Sequence, residues 1–250
     1  MSNQQFKIDG NQKEHGLPPQ AKTQSPKDYY SHYPATDPAY TVIRISGALI
    51  RKKASKYFSG KLIDIGCGKG IKRGLIGEFV DEYIGMDHAS CPHGLDAIDL
   101  IGESRNIPVD DNAFDCVLCT AVIEHLRYPQ EALNEAYRIL KPGGYALYTA
   151  PLIWHLHEEP HDYFRYTRYG LEHLFKSAGF TIVELIPLSG FWVTFGTESS
   201  YYLCRFKKGI LKPVINLLVA LINWISPKLD RGPLRDERFT WMYMVVVRKQ

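Results

Sequence analysis

An apolar run that ends in glycines, LIDIGCGKG at residues 62–70, carries the densest chemistry in the chain. Gly66, Gly68 and Gly70 let the backbone turn tightly and pass close to a ligand, and the helix that follows offers free N–H groups at its start. The ligand expected there is nucleotide-like. Asp64 precedes the glycines, and a carboxylate at that place suits an ammonium better than the pyrophosphate that three-glycine turns usually hold. About 20 residues further on, YIGMDHAS puts Asp87 at the end of a second apolar run, where an acid can take both hydroxyls of a ribose. Each signal has a plainer reading, a tight structural turn for the glycines and a helix cap for Asp87. Their conjunction at neighbouring strand ends is what argues for a nucleoside site.

Two polar clusters follow. Glu124 and His125 end the apolar stretch FDCVLCTAVIEHL, where they could serve chemistry or simply orient a loop. PLIWHLHEEPHDYFRYT, residues 151–167, interleaves His155, His157, His161, Asp162 and Arg165 with aromatics, the composition of a loop that receives a small molecule. The spacing of these histidines and acids is not specific enough to assign a zinc site. Cys116 and Cys119 form a CxxC, but within an apolar strand pattern and with no second pair, so they read as small core residues.

The elements that would position these groups alternate along the chain. KLIDIG, YIGMD, AFDCVLCT, YALYTAP and FTIVELIPL read as strands, separated by helical stretches near 71–79, 129–140 and 168–178. This alternation predicts an α/β fold, a Rossmann-like doubly wound sheet of about seven strands, mostly parallel with an antiparallel final strand. In open sheets of this kind the ligand crevice lies at the carboxyl ends of the strands. Residues 1–30, rich in Gln, Lys, Pro and Asn, are expected to form a mobile tail, and 31–58 a helical cap over a core at 59–188. Residues 189–238 interrupt the pattern, and FTWMYMVVVRK, within 239–250, reads as a last strand returning to the sheet edge.

On these motifs the chain resembles the class I S-adenosylmethionine-dependent methyltransferases, particularly the small-molecule enzymes with EH after the fourth strand. LKPGGYALYTAP fits the turn and fifth strand of that family, and the likeness spans roughly 61–188, about half the chain. The resemblance implies S-adenosylmethionine as cofactor. Asp64, Gly66, Gly68 and Gly70 would hold its methionine end and Asp87, with His88 beside it, its ribose. Glu103 or Ser104, ahead of Pro108, would meet the adenine, with Asp99 a competitor; Thr120 at the fourth strand's end completes the set. His125 is then the best-placed base, His161 the second candidate, and Arg165 an anion clamp. Ubiquinone-pathway members carry a further acid before their EH; here Ala121 stands in its place, and no metal is expected. An Asn/Asp-Pro-Pro-aromatic signature, which base-amine methyltransferases carry, is also missing, which points to a small acceptor; the basic and aromatic segment before the last strand points to a hydroxyl of a lipid- or glycan-linked one.

Composition bounds the partners. The chain has 250 residues and a formal net charge of +3, enough for one core and too little charge to mark a nucleic-acid surface. Five irregularly spaced cysteines and no apolar leader fit a reducing cytoplasm. Within 189–238 the apolar stretch 214–225, bracketed by Pro213 and Pro227, is twelve residues long and reads as too short to span a bilayer. Basic residues flank it across 205–238. It reads either as a lid or dimerisation helix packed on the protein, or as a peripheral contact with the inner face of a membrane. Two rivals to the enzyme stay in view: a nicotinamide-dependent Rossmann oxidoreductase and a catalytically silent methyltransferase-like binding protein.

Overall fold

The computed structural model describes residues 26–250. Strands β1 (Lys61–Ile65), β2 (Glu82–Asp87), β3 (Leu100–Ile101), β4 (Phe114–Thr120) and β5 (Leu140–Pro151) run parallel. Beyond β5 lie β6 (Thr181–Pro187) and β7 (Met242–Arg248), giving the order β3-β2-β1-β4-β5-β7-β6. β7 pairs antiparallel with both β5 and β6. The expected sheet is therefore present, with one correction: the last strand slots between β5 and β6 and leaves β6 at the edge. Tyr243 to Val247 are all buried as a result, and the unbroken apolar run is what a strand covered on both faces requires. The two-residue β3 is too short to announce itself by alternation.

Helices cover both faces. On one side lie α4 (Pro129–Ile139) and α5 (Arg168–Ser177), whose Leu133, Ile139, Leu171 and Phe175 join a core with Ile63, Val117 and Val245. Thr167 caps α5 by accepting from Gly170 N–H at 3.1 Å. On the other side α2 (Tyr40–Tyr57) and the short α3 (Arg73–Ile76) pack Val42, Ile50, Ala54 and Ile76 against Leu62, Leu118 and Val246. Cys116 and Cys119 fall on opposite faces of β4, one in each core, as odd and even strand positions must. Most of the expected tail, 1–30, lies outside the described residues. Its last part opens α1 (Pro26–Ser31), whose Tyr29 is buried against α2.

Residues 189–238 fold differently from the single bracketed helix expected. They form a hairpin of two helices, α6 (Phe191–Cys204) and α7 (Lys212–Leu229). α6 escapes a pattern reading because its Phe, Trp, Val, Thr and Tyr residues are poor helix formers in isolation, and tertiary packing supplies the stability. Asp230, just past α7, closes the hairpin: its carboxylate accepts from Gly190 N–H at 2.7 Å and Trp192 N–H at 3.2 Å, at the positive end of α6. Asn223 ties α7 to the cap, donating to the carbonyls of Ala35 and Asp37 and accepting from Thr41. The exclusion of a membrane span on length also needs correcting. The prolines sit inside the first and last turns of α7, and Gly209–Leu229, 21 residues of mean hydropathy 1.6, is long and apolar enough to cross by length and composition.

The helices of the hairpin meet at Gly196, where an added Cβ would sit 3.0 Å from Ser226 Cβ and 3.1 Å from Ile222 Cγ2. Gly196→Leu is expected to overpack this crossing and lower stability by about 1–3 kcal/mol, measured by urea unfolding.

Candidate active site

The tips of β1, β2 and β4 meet through a few backbone contacts. Past β1 the chain reverses, and Gly66 N–H and Cys67 N–H both donate to the Met86 carbonyl, at 2.9 and 3.0 Å. Gly66, Gly68 and Gly70 have φ of +72°, +52° and +64°, the left-handed region that costs side chains with a Cβ. At Gly66 the demand is double, because a Cβ would lie 2.4 Å from Val122 Cγ2 of the segment leaving β4. Gly68 N–H then donates to Asp87 Oδ2 at 2.9 Å, while His88 N–H donates to Oδ1 at 2.8 Å. The glycine turn and the second strand's acid are thus locked together. Each Asp87 oxygen keeps acceptor capacity for further donors, since a carboxylate offers about four lone pairs.

Asp64 sits differently from the open ammonium partner expected of it. It is fully buried, Tyr83 donates to its Oδ2, and Oδ1 meets no donor among the described residues. Burial raises its pKa to about 6. Asp99, the competitor for the adenine, is spoken for: it accepts from Gly85 N–H and pairs with Arg73. Glu103 and Ser104 stay available on the wall of a cleft of about 260 Å³, which they share with His125, His161, Tyr163 and Arg127. One opening therefore collects both candidate adenine contacts and both candidate bases. Thr120, at the tip of β4, is buried with its hydroxyl oxygen unpartnered among the described residues.

The loop after β5 is stitched onto the loop after β4. Tyr163 N–H and Phe164 N–H donate to the Glu124 carbonyl, and Tyr166 Oη–H to the Ile123 carbonyl. Arg165 holds the loop's shape with every donor it has. It reaches both Asp162 oxygens, at 2.6 and 2.8 Å, and the carbonyls of Trp154, His155 and Phe164. Expected as an anion clamp, it has no donor left for a ligand; it is a staple. The guanidinium beside Asp162 holds that carboxyl well below its ordinary range.

This stitching places His125. Its Nδ1 is 3.0 Å from the His161 carbonyl, and a carbonyl can only accept, so Nδ1 carries the proton and Nε2 holds a lone pair. Nε2 is buried and has no hydrogen-bond partner among the described residues. The His157 ring meets that of His125 edge-on at 4.7 Å, and burial holds the His157 pKa down. Glu124 is fully buried with neither carboxyl oxygen hydrogen-bonded, and burial raises its pKa to about 8, so it is protonated at neutral pH. Glu124, His125 and His157 each offer a donor atom, all within 4.8 Å of one another, a set able to take a divalent cation. The expectation of no metal rested on Ala121 and on the spacing of the histidines and acids, neither of which registers that folding brings His157 to the EH pair. His155 faces away from this group, towards Glu198 of α6 at 3.1 Å.

Two residues went unremarked in the sequence. The His93 ring lies over Gly68, and Glu158, at φ +52°, stands 4.0 Å from His93 Nε2 and 3.8 Å from His125 Nε2. Glu158 thus stands between the His93 ring at the glycine turn and the ring of His125. A histidine between Pro92 and Gly94 was the available signal.

A family model for a methyltransferase domain matches residues 32–185. The chain belongs to this methyltransferase family. Similar curated proteins include a ubiquinone biosynthesis O-methyltransferase of Acinetobacter baumannii, 22% identical over 196 residues, covering 64% of this chain and 83% of that one. A ubiquinone/menaquinone biosynthesis C-methyltransferase of a Ruegeria species is 31% identical over 120 residues, 48% of this chain and 42% of that one. Among curated relatives it matches, the chain spans from 27% to 83% of their length. Phosphoethanolamine N-methyltransferase 2 of Haemonchus contortus, solved with phosphomonomethylethanolamine and S-adenosylhomocysteine, superposes with a TM-score of 0.55 at 18% identity, over 90% of this chain and 60% of that one. The chain is a class I, S-adenosylmethionine-dependent methyltransferase, and the nicotinamide-dependent oxidoreductase drops out.

The residues present fit such a cofactor. The left-handed glycine turn, the spare lone pairs of Asp87 and the orphaned Thr120 hydroxyl are acceptors and space suited to a nucleoside. Asp87→Ala should weaken cofactor binding by about 1–3 kcal/mol by calorimetry while leaving the fold intact. The two buried acids give opposite pH dependences. Asp162, held low, contributes stability at neutral pH that is lost as the medium falls below the ordinary carboxylate range. Glu124, raised to about 8, keeps a proton that the unfolded chain releases near pH 4, so its contribution declines as pH climbs between those values. Glu124→Gln should therefore gain on the wild type in denaturant unfolding as pH goes from about 5 to 8; parallel curves would contradict this.

Proposed function

We propose that the enzyme methylates a hydroxyl of a small acceptor, in its fullest form a lipid- or glycan-linked one, with His125 as the base. The observation that carries this is the pinned tautomer: the His161 carbonyl holds the proton on Nδ1, so in the neutral ring the unpartnered Nε2 of His125, a residue that lines the shared cleft, keeps its lone pair beneath the cleft surface. Asp87 and His88 would take the ribose, Glu103 or Ser104 the adenine, and Gly66, Gly68 and Gly70 the methionine end, with Thr120 between them. Asp64 would reach the ammonium only through its unpartnered Oδ1, since Oδ2 is held by Tyr83. The O-methyltransferase among the relatives supports an oxygen acceptor, and the apolar, basic hairpin supports one that is lipid-linked.

When bound, S-adenosylmethionine supplies an activated methyl group on a sulfonium. The chain's own part is to hold the acceptor hydroxyl in line and receive its proton at His125 Nε2 as the carbon–oxygen bond forms. The products are the methyl ether and S-adenosylhomocysteine. Buried Glu124 is neutral at pH 7 and so adds no negative charge beside His125. His161 contributes its backbone carbonyl to the tautomer, and its ring, bonded to Tyr163 Oη, is a second candidate base.

Labelled-methyl transfer into a cell extract tests this reading. His125→Gln is expected to lower kcat about a hundredfold to ten-thousandfold with cofactor affinity unchanged. His161→Ala, which keeps the carbonyl, separates the candidates: a loss as large as that of His125→Gln would move the base to His161.

A further inference from the structure

We propose that the outer face of α7 is a docking surface for an anionic lipid bilayer, with the helix lying in the plane of the membrane. This goes beyond the methyl-transfer reading and does not depend on it. α7 is amphipathic in the wrong sense for a soluble protein. Ile215, Val219, Asn223 and Ser226 face inward, while Val214, Leu217, Leu218, Leu221, Trp224 and Ile225 form an exposed stripe at helical spacing. The turn before the helix continues the stripe with Ile210, 90% exposed. A contiguous apolar face of this kind marks an interaction site.

The charges around the stripe identify the partner. Between 205 and 238 there are eight basic and three acidic residues. All three acids are used internally: Asp230 on the backbone of α6, Asp236 by Arg238 and Glu237 by Arg235. Lys208, Lys212, Lys228 and Arg231 have no acidic partner among the described residues, nor do Arg205 and Lys207, so the free charge along the edges of the stripe is positive throughout. Lys228 Nζ lies 3.1 Å from the Trp224 ring centroid, a pairing of aromatic and long cation that suits the headgroup level of a bilayer. A second copy docked on this face would bring like charges together, whereas anionic headgroups complement them. Crossing the bilayer would tear Asn223 from Thr41 and from the carbonyls of Ala35 and Asp37; lying in plane keeps these bonds. Through α6 the docked hairpin also touches the loop after β5, at Glu198 with His155 and Tyr201 with Trp154, the same loop that gives His161 and Tyr163 to the cleft.

Co-sedimentation of the full chain, without detergent, with vesicles of phosphatidylcholine alone or mixed with phosphatidylglycerol tests the proposal. Binding is expected only to the mixed vesicles, weakened by salt, with a blue shift of tryptophan emission that Trp224→Phe removes. The combined change Lys207→Gln, Lys208→Gln and Lys212→Gln should weaken partition roughly a hundredfold, about fivefold for each charge. Leu217→Asn with Leu221→Asn, on the solvent side where folding is insensitive, should weaken it at least about tenfold; melting temperatures check that both variants are folded. Failure to bind mixed vesicles, or binding indifferent to lipid charge and to the lysines, would overturn it. So would self-association in sedimentation equilibrium that the Leu217 and Leu221 changes abolish, which would assign the face to a second copy, or retention in cell membranes after an alkaline carbonate wash, which would make α7 a span. S-adenosylhomocysteine calorimetry on the same samples reports the cofactor site separately, so loss of one property leaves the other readable.

Discussion

The candidate active site rests on one guanidinium. Arg165 spends five donors on two carboxylate oxygens and three carbonyls, and in doing so folds the sixteen-residue loop after β5 into a rigid body. Such a loop has too few apolar contacts to order itself against its conformational entropy, and a planar fork that satisfies its own backbone is an economical solution. Once formed, the loop presents its Tyr163 and Phe164 amides to the Glu124 carbonyl and its His161 carbonyl to His125. The tautomer of the candidate base is therefore set by a backbone atom thirty-six residues away in sequence.

The electrostatics of the site follow from how unevenly that network shares its donors. Asp162 takes the guanidinium and stays ionised; Glu124, a few residues away in space, receives none of those donors on its carboxyl and is kept neutral by burial. Two acids under one loop thus hold opposite protonation states at pH 7, an arrangement that separates a structural charge from a neutral polar group beside the histidines. The glycine turn obeys a different constraint. Its backbone must pass within contact of Val122, so that β1, β2 and β4 tips converge, and left-handed glycines are the means.

The hairpin shows how an insertion can be tied in without being fully covered. Asp230 closes it on itself and Asn223 fastens it to the cap, while its outermost stripe stays apolar and exposed. On the inner side of α7, buried Asn223 donates to backbone carbonyls of the cap that no leucine could satisfy, while Ile215 and Val219 beside it pack as apolar contacts.

By itself the sequence determined the alternation of strands and helices, the glycine turn, the acid at the second strand's end and the EH pair, because each is a local pattern read over a few residues with a known backbone requirement. Through the family resemblance these patterns carry, it also implied the cofactor class. Only tertiary structure decided that β7 sits inside the sheet, that 189–238 is a two-helix hairpin with its apolar side outward, and that Arg165 is a staple. It alone decided too that Asp64 is buried beneath Tyr83, Asp99 is held by Arg73, and His157 joins Glu124 and His125. The physical reason is common to all of these. Register between distant strands, the partner of a charge and the side of a helix that faces solvent depend on contacts between residues far apart in the chain, and no local periodicity encodes them.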